Sequence, residues 1–229
     1  MKLNYSLRNE ANAVPEILIY DQIGEDYWSG EGVTAKNIKS DLAALGNVAE
    51  VNVRINSEGG NAWEGFAIYN AFKEASVRGT KIVVTIDAIA LSAGSIIAMA
   101  GDVIRAQENA LVMIHNASTY VGGDAVALRK MVDLLEKLDG QIRDLYAART
   151  GADANAVEKW MDEETWFTAA EAKEQKFVDE IIPNKAAPPP LSNATMKRVR
   201  NAPAWIRQQA AERPRYTAAL ALHSARNVS

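Results

Sequence analysis

The sequence predicts an α/β fold, because strand patterns and helix patterns alternate along its first half. Strands are indicated by the apolar run EILIYDQI at residues 16–23 and by the apolar–polar alternation of EVNVRIN at residues 50–56. Helices are indicated by apolar residues three and four positions apart over residues 34–45 and 61–75. With 229 residues and 48% apolar content, the chain can bury one substantial core.

The predicted elements carry their own start and stop signals. Thr34 is a suitable N-cap for the first helix, and Gly46 ends it. A buried strand at residues 82–90 breaks at a turn of small residues and resumes as a buried helix at 96–100. The sequence from Thr168 to Glu171 predicts a capping box that begins a late helix. The remaining predictions are strands at residues 102–106, 110–115 and 177–182 and a helix at residues 155–161.

The longest predicted helix covers residues 124–150 and would extend roughly 40 Å at 1.5 Å per residue. A helix of this length in a small domain extends beyond its own core, so its apolar stripe needs a partner. The stripe consists of Val126, Met131, Leu134, Leu135, Leu138, Ile142 and Leu145.

Composition excludes several classes of protein. The chain has no cysteine, which excludes disulfides and thiol catalysis, and it has only two histidines, His115 and His223. We therefore predict no metal centre. We also expect neither a signal peptide nor a membrane segment, because no apolar run reaches the necessary length.

Charge and proline content divide the chain into four predicted parts. Residues 185–229 carry eight basic side chains and one acidic side chain, whereas residues 1–184 carry 17 basic and 28 acidic ones. We predict a flexible lead-in at residues 1–14, one domain at 15–184, a proline-rich linker at 185–192 and a basic extension at 193–229. The extension could contact nucleic acid or an acidic protein surface, or lie in solvent, and the sequence leaves these open.

Four local features could carry chemistry. Ser92 lies at the junction of the buried strand and the buried helix, where hydrolases place a nucleophile. Gly59 and Gly60 directly follow a strand, and paired glycines let backbone N–H groups face a carbonyl oxygen. His115 ends an apolar strand, and an acidic cluster at residues 162–164 precedes an aromatic pair. Each feature alone also fits a structural role: a packed turn, a tight turn, a hydrogen-bonded histidine or a solvated surface.

The order of these features resembles that of the ClpP-like serine peptidases. The motifs that carry the resemblance are INSEGG at residues 55–60, SAG at 92–94, MIH at 113–115 and FTAAEA at 167–172. The resemblance covers residues 17–182. It implies the ClpP/crotonase fold, a spiral of β-β-α units, with the helix at residues 124–150 as a protruding handle.

The resemblance also implies roles for individual residues. Ser92 would attack the scissile carbonyl, and His115 would take its proton and later return it to the leaving amine. The backbone N–H groups of Gly60 and Ala93 would hold the oxyanion.

The sequence departs from the family pattern at two positions. The family usually has aspartate as the third triad member, and the corresponding residue is Glu164; we predict that Glu164 orients the imidazole and keep Asp162 as the alternative. The family often has proline at the position of Glu58, which adds a negative charge beside the predicted oxyanion site. Both departures keep open the possibility that the protein is a non-catalytic assembly scaffold that retains the fold.

Within the family, the sequence is most similar to the phage and prophage branch of head-maturation proteases. The shared segments are ILIYDQIG, GVTAK, VNVRINSEGG, AIYN and ETWF. The prediction is a serine endopeptidase that processes capsid or scaffold proteins during procapsid maturation in the host cytoplasm. The alternative is a general ClpP-type peptidase that works with an ATP-dependent unfoldase. Because family members form heptameric rings, often paired through their handles, we also predict a homo-oligomer.

Overall fold

The computed structural model describes residues 5–9, 13–25 and 32–183. The predicted linker and basic extension lie outside these residues, and so does His223. The helices are α1 (Ala35–Leu45), α2 (Ala62–Val77), α3 (Ala93–Ala98), α4 (Ala125–Thr150), α5 (Ala154–Asp162) and α6 (Ala169–Glu174). The strands are β1 (Tyr5–Arg8), β2 (Glu16–Ile19), β3 (Glu50–Ser57), β4 (Lys81–Leu91), β5 (Val103–Gln107), β6 (Leu111–Ile114), β7 (Thr165–Thr168) and β8 (Glu180–Ile182).

All eight strands belong to one mixed sheet. β2, β3, β4, β5 and β8 are parallel neighbours in that order, and β1 pairs antiparallel with β2 at one edge. β6 pairs parallel with the last residues of β4, and β7 pairs antiparallel with β6. Apolar residues of α1 and α2, including Ile38, Leu42, Ile68 and Phe72, join those of the sheet in a single core. The α/β fold predicted from the sequence is therefore confirmed.

β4 is the strand on which the site depends, because it pairs with two different partners along its length. Val83–Ile86 pair with β5, whereas Ile89–Leu91 pair with β6. The register against β3 shifts between these halves, since Ile55 lies opposite Ile86 but Ser57 lies opposite Ala90. The extra residues bend β4 away from β5 and direct its C-terminal end toward β6.

Asp87, a charged residue within the largely apolar part of β4, is compensated by neighbouring side chains. Its carboxylate accepts hydrogen bonds from Arg54 Nε at 2.9 Å and from the Tyr20 hydroxyl. Burial first, and then the neighbouring carboxylate, raise the pKa of Tyr20 to about 12. Asp87 therefore belongs to a structural polar cluster on the sheet.

The helix signals read from the sequence are confirmed. The Thr34 side chain accepts the Asn37 N–H, and Gly46 ends α1. Thr168 and Glu171 form the reciprocal hydrogen bonds of a capping box at the start of α6. Asp124 caps α4, and Gly151 ends it in the left-handed conformation.

The N-terminal part of the prediction is wrong. Instead of a flexible lead-in throughout residues 1–14, Tyr5–Arg8 forms β1, where Leu7 packs against the core and Arg8 lies 3.7 Å from Glu16. The four-residue segment YSLR is at the lower limit of length at which alternation indicates a strand. β2 also ends earlier than predicted, at Ile19, and Ile23 instead forms single bridges with Val33 and Gly60.

The two halves of α4 have different surroundings. Leu138, Ile142 and Tyr146 in the C-terminal half are buried against the core. The N-terminal half exposes Val126, Leu128, Val132 and Leu134, whose side chains are between 41% and 58% accessible. This long helix leaves part of its apolar surface uncovered by its own domain, as the sequence predicts. Within the part of the chain that the structure describes, no helix is long and apolar enough to cross a membrane.

Candidate active site

The pairing of β4 with β6 places Ser92 beside His115. The ladder joins Leu91 to Met113 and continues with a hydrogen bond of 3.0 Å from the Ser92 N–H to the Met113 carbonyl. Ser92 and His115 follow the ends of these two strands directly. Because parallel neighbours end at the same edge of a sheet, the two side chains meet there.

Ser92 has a backbone conformation that side chains rarely adopt, with φ of 52° and ψ of −122°. Such a conformation costs about 1–3 kcal/mol and persists where the surrounding structure imposes it. The neighbouring turn packs closely against this residue, because a Cβ on Gly59 would lie only 2.5 Å from the Leu91 carbonyl oxygen and 2.8 Å from the Ser92 Cβ. The strained turn holds the Ser92 hydroxyl at the junction of β4 and α3, a position that resembles the nucleophile turn of α/β-hydrolases.

The imidazole of His115 contacts the serine directly, with 2.8 Å between His115 Nε2 and Ser92 Oγ. Burial lowers the pKa of His115 below its ordinary value of 6.5, and the negative charges of Glu164 and Asp139 partly offset this effect. The imidazole is therefore neutral at neutral pH and can accept a proton from the hydroxyl.

The two carboxylates considered from the sequence occupy different positions. Ile114 pairs with Thr165 in the antiparallel ladder of β6 and β7, so Glu164 is the residue across from His115. Asp162 instead accepts a hydrogen bond from Asn116 Nδ2 at 2.7 Å. Glu164 is also the carboxylate whose charge most strongly raises the pKa of His115. Glu164 therefore lies at the strand position across from His115, whereas Asp162 is hydrogen-bonded to Asn116.

The backbone N–H groups of Gly60 and Ala93 lie on the two turns beside Ser92. Gly60 is held by Ile23, whose N–H donates to the Gly59 carbonyl at 2.9 Å and whose carbonyl accepts the Asn61 N–H at 2.8 Å. Gly60 has a φ of 147°, and a Cβ there would lie 2.2 Å from the Ile23 carbonyl oxygen. Among the described residues, neither the Gly60 nor the Ala93 N–H has an acceptor. Both donors are thus available to a substrate oxygen.

A buried connection between α4 and the serine turn was not recognised in the sequence. Ser95 Oγ donates to the Ser92 carbonyl oxygen at 2.6 Å and lies 2.8 Å from the Tyr146 hydroxyl. Because Ser95 has already used its proton, Tyr146 is the donor of the second bond. Burial raises the pKa of Tyr146, so this hydroxyl stays protonated. Ser95 is therefore a structural residue of α3.

A groove beside Ser92 and His115 has a volume of about 320 Å³. Gly60 lines one part of it, and Trp63, which is 55% accessible, lies at its wall. Its remaining apolar lining comes largely from α3 and α4, namely Ile96, Met131, Leu134, Leu135, Leu138, Ile142 and Tyr146. The groove can therefore receive an extended, apolar segment of a substrate. In the described part of the chain, no cluster of three or more acidic or histidine side chains is arranged to hold a metal ion.

A serine hydroxyl within hydrogen-bond distance of a buried imidazole is found in serine hydrolases. The model of the Clp protease family matches residues 16–185, and the chain belongs to that family. The ClpP-like assignment made from the sequence motifs is thus confirmed.

Individual relatives agree with this assignment. The chain is 32% identical over 149 residues to ATP-dependent Clp protease proteolytic subunit 2 of Thermobifida fusca, covering 62% of this chain and 70% of that protein. It is 28% identical over 155 residues to subunit 3 of Rhodococcus jostii, covering 67% and 75%. A ClpP1 mutant from Listeria monocytogenes shares the fold, with a TM-score of 0.63, 24% identity, and coverage of 74% of this chain and 92% of that one.

Proposed function

We propose that this protein is a serine endopeptidase of the ClpP type, with Ser92 as nucleophile, His115 as general base and acid, and Glu164 as the residue that orients His115. The observation that supports it most directly is the 2.8 Å contact between His115 Nε2 and Ser92 Oγ. The serine and histidine come from strand ends that are held together by the β4–β6 ladder, so the contact is built into the fold.

The proposed reaction proceeds through an acyl-enzyme. Ser92 Oγ forms a bond to the scissile carbonyl carbon while its proton moves to His115 Nε2. The N–H groups of Gly60 and Ala93 stabilise the resulting oxyanion, each by about 3–4 kcal/mol in comparable sites. His115 then gives the proton to the leaving amine, the C–N bond breaks, and water releases the acyl group by the same steps. This mechanism requires no metal or cofactor.

The pH dependence of the reaction should reflect the buried position of His115. Since catalysis requires neutral imidazole, kcat/KM should rise with pH through the pKa of His115, which burial places below 6.5. We expect the midpoint of the acidic limb below pH 6.5, measured with a fluorogenic peptide at substrate concentrations well below KM. A midpoint above 6.5 would mean that the neighbouring carboxylates outweigh burial.

The apolar groove predicts the substrate preference. Peptides with leucine or methionine before the scissile bond should have a kcat/KM at least about tenfold higher than peptides with aspartate there, because burying a charge in an apolar groove is costly. Rates measured on a matched set of peptides that differ only at this residue test the prediction. Equal rates for leucine and aspartate would show that the groove does not receive this residue.

The uncovered apolar surface of α4 supports the proposal of a homo-oligomer, such as a heptameric ring or a pair of rings. We expect light scattering to show an oligomer. Val132→Glu should lower the molar mass of the assembly, because it places a charge in the contact that α4 makes between subunits. Val77→Glu is the matched control, because Val77 is 87% accessible at the end of α2. A wild-type monomer at micromolar concentration contradicts the proposal.

The relatives named above favour the general ClpP-type function over capsid processing, because their names describe proteolytic subunits of ATP-dependent proteases. We therefore propose that substrates reach Ser92 with the help of an ATP-dependent unfoldase. The test has two arms, each run with the wild type and with Ser92→Ala. In the first, the protein is mixed with the host unfoldase, ATP and a folded substrate protein. In the second, it is co-expressed with a phage capsid protein and no unfoldase is added. ATP-dependent degradation of a folded protein supports the unfoldase. Site-specific, Ser92-dependent cleavage of the capsid protein alone supports the maturation protease predicted from the sequence.

A non-catalytic scaffold is the remaining alternative. It predicts that Ser92 does not react with a fluorophosphonate and that oligomers form without any peptide hydrolysis. Two features argue against a scaffold: the imidazole of His115 is neutral, and it lies at hydrogen-bond distance from Ser92. A non-catalytic scaffold would need neither feature.

A further inference from the structure

Three consecutive residues directly after β6 are each associated with a different carboxylate. His115 lies across from Glu164, and Asn116 donates a hydrogen bond to Asp162. The third contact comes from the long helix α4, where Asp139 Oδ1 accepts the Ala117 N–H at 2.6 Å. Asp139 thus connects α4 to the segment that follows the histidine.

Asp139 and His115 also influence each other electrostatically. The charge of Asp139 raises the pKa of His115, after the larger effects of burial and of Glu164. Burial raises the pKa of Asp139, while the Ala117 N–H and His115 lower it and Asp162 raises it. The geometric contact and the electrostatic interaction therefore involve the same short segment.

The charged groups around this segment are mostly acidic. Asn116 and Asp139 line a second cavity, whose other titratable side chains are Glu136 and Arg143 on α4 and Glu158 and Asp162 on α5. Glu164 directly precedes β7. Arg143 Nη2 lies 2.8 Å from Asp144 Oδ1 on its own helix. The two charges that act on His115, those of Glu164 and Asp139, are both negative and would stabilise an imidazolium.

We propose that Asp139 is a second positioning residue for His115, which holds the 115–117 segment through the Ala117 N–H and supplies a negative charge that stabilises the imidazolium together with Glu164. This proposal rests on the proposed peptidase function. It requires no additional covalent step, because Asp139 acts while the proton from Ser92 resides on His115 Nε2.

The structure gives a reason why both Glu164 and Asp139 would position His115. Glu164 is longer than the aspartate usual at its position and has a left-handed backbone with φ of 49°. Asp139 approaches the same segment from α4, and its anchoring hydrogen bond is to backbone, which fixes the loop independently of the Glu164 side chain. Loss of one carboxylate would then weaken the site without abolishing it.

The test uses two substitutions that separate charge from hydrogen bonding. Asp139→Asn keeps an oxygen that can accept the Ala117 N–H but removes the charge, whereas Asp139→Ala removes both. Asp133→Asn is the matched control, because Asp133 is exposed on the same helix and the change in net charge is identical. Asp139→Ser, which is also uncharged, provides the same comparison if Asp139→Asn folds poorly.

The first measurement is the pKa of His115 by NMR of protein labelled at histidine ¹³Cε1, which does not depend on activity. We expect Asp139→Asn to lower the pKa of His115 and Glu164→Gln, as a separate variant, to lower it by more. Asp133→Asn should leave it unchanged. The second is the pH profile of peptide hydrolysis, in which Asp139→Asn should lower kcat about threefold to tenfold, leave KM unchanged and shift the acidic limb to lower pH.

The outcomes separate this proposal from the peptidase function itself. An unchanged His115 pKa in folded Asp139→Asn overturns the proposal, whether or not the wild type is active. Asp139→Asn could lower the pKa of His115 while the wild type neither hydrolyses peptides nor reacts with a fluorophosphonate. This result supports the electrostatic interaction but refutes the peptidase function. A larger loss of kcat in Asp139→Ala than in Asp139→Asn shows that the hydrogen bond to Ala117 contributes as well.

Discussion

Replacement of Ser92 by alanine should lower kcat/KM for peptide hydrolysis by at least about 10⁴-fold, because the acyl-enzyme cannot form without the nucleophile. The protein should remain folded and oligomeric, since the Ser92 N–H and carbonyl make their hydrogen bonds through the backbone. The measurement is hydrolysis of a fluorogenic peptide, with light scattering to confirm the assembly.

The matched control for this variant is Ser40→Ala. Ser40 is an exposed serine of α1, so its loss removes a hydroxyl without touching the site. Ser40→Ala should have wild-type activity. Hydrolysis by Ser92→Ala at the wild-type rate would show that another residue carries the reaction.

The second large effect is expected at Gly59, whose substitution by alanine should destabilise the protein and abolish activity. Its φ of 92° is unfavourable for alanine, and the added Cβ would lie 2.5 Å from the Leu91 carbonyl oxygen and 3.0 Å from the Ala93 nitrogen. Strain alone costs about 1–3 kcal/mol, and displacing backbone atoms adds to it. We expect a loss of at least about 3 kcal/mol, which corresponds to a fall in Tm of roughly 6–12 °C in a chain of this size.

Gly79→Ala separates strain from steric overlap. Gly79 has a similar φ of 99°, but nothing lies within 4 Å of a Cβ at that position. This variant should lose only the strain contribution and keep its activity. Equal losses of stability and activity in the two variants would show that the close approach of Gly59 to the Ser92 turn is unimportant.

The parts of the site that could be predicted from sequence are those encoded in contiguous motifs. Ser92, Gly60 and His115 each follow a strand or precede a helix with strong local signals, and their order matches one family. The structure brings Ser92 and His115 together through the ladder between β4 and β6, a pairing that no local pattern reveals. The register of β6 and β7 likewise explains the position of Glu164.

Asp139 could not have been found in this way. In the sequence it is one acidic residue among several on a long amphipathic helix, adjacent to Leu138 of the apolar stripe. Its relevance depends on the contact of α4 with the segment that follows β6, about which helical periodicity says nothing. β1 was missed for a related reason, because a four-residue edge strand is recognised by its pairing with β2.

The most direct test of the account is the site of fluorophosphonate modification by mass spectrometry. Trypsin should release residues 82–105 as one peptide that contains both Ser92 and Ser95. We predict one adduct per chain, located on Ser92 by fragmentation of this peptide and lost in His115→Ala. Absence of the adduct, or its location on Ser95, would contradict the assignment of Ser92 as the nucleophile.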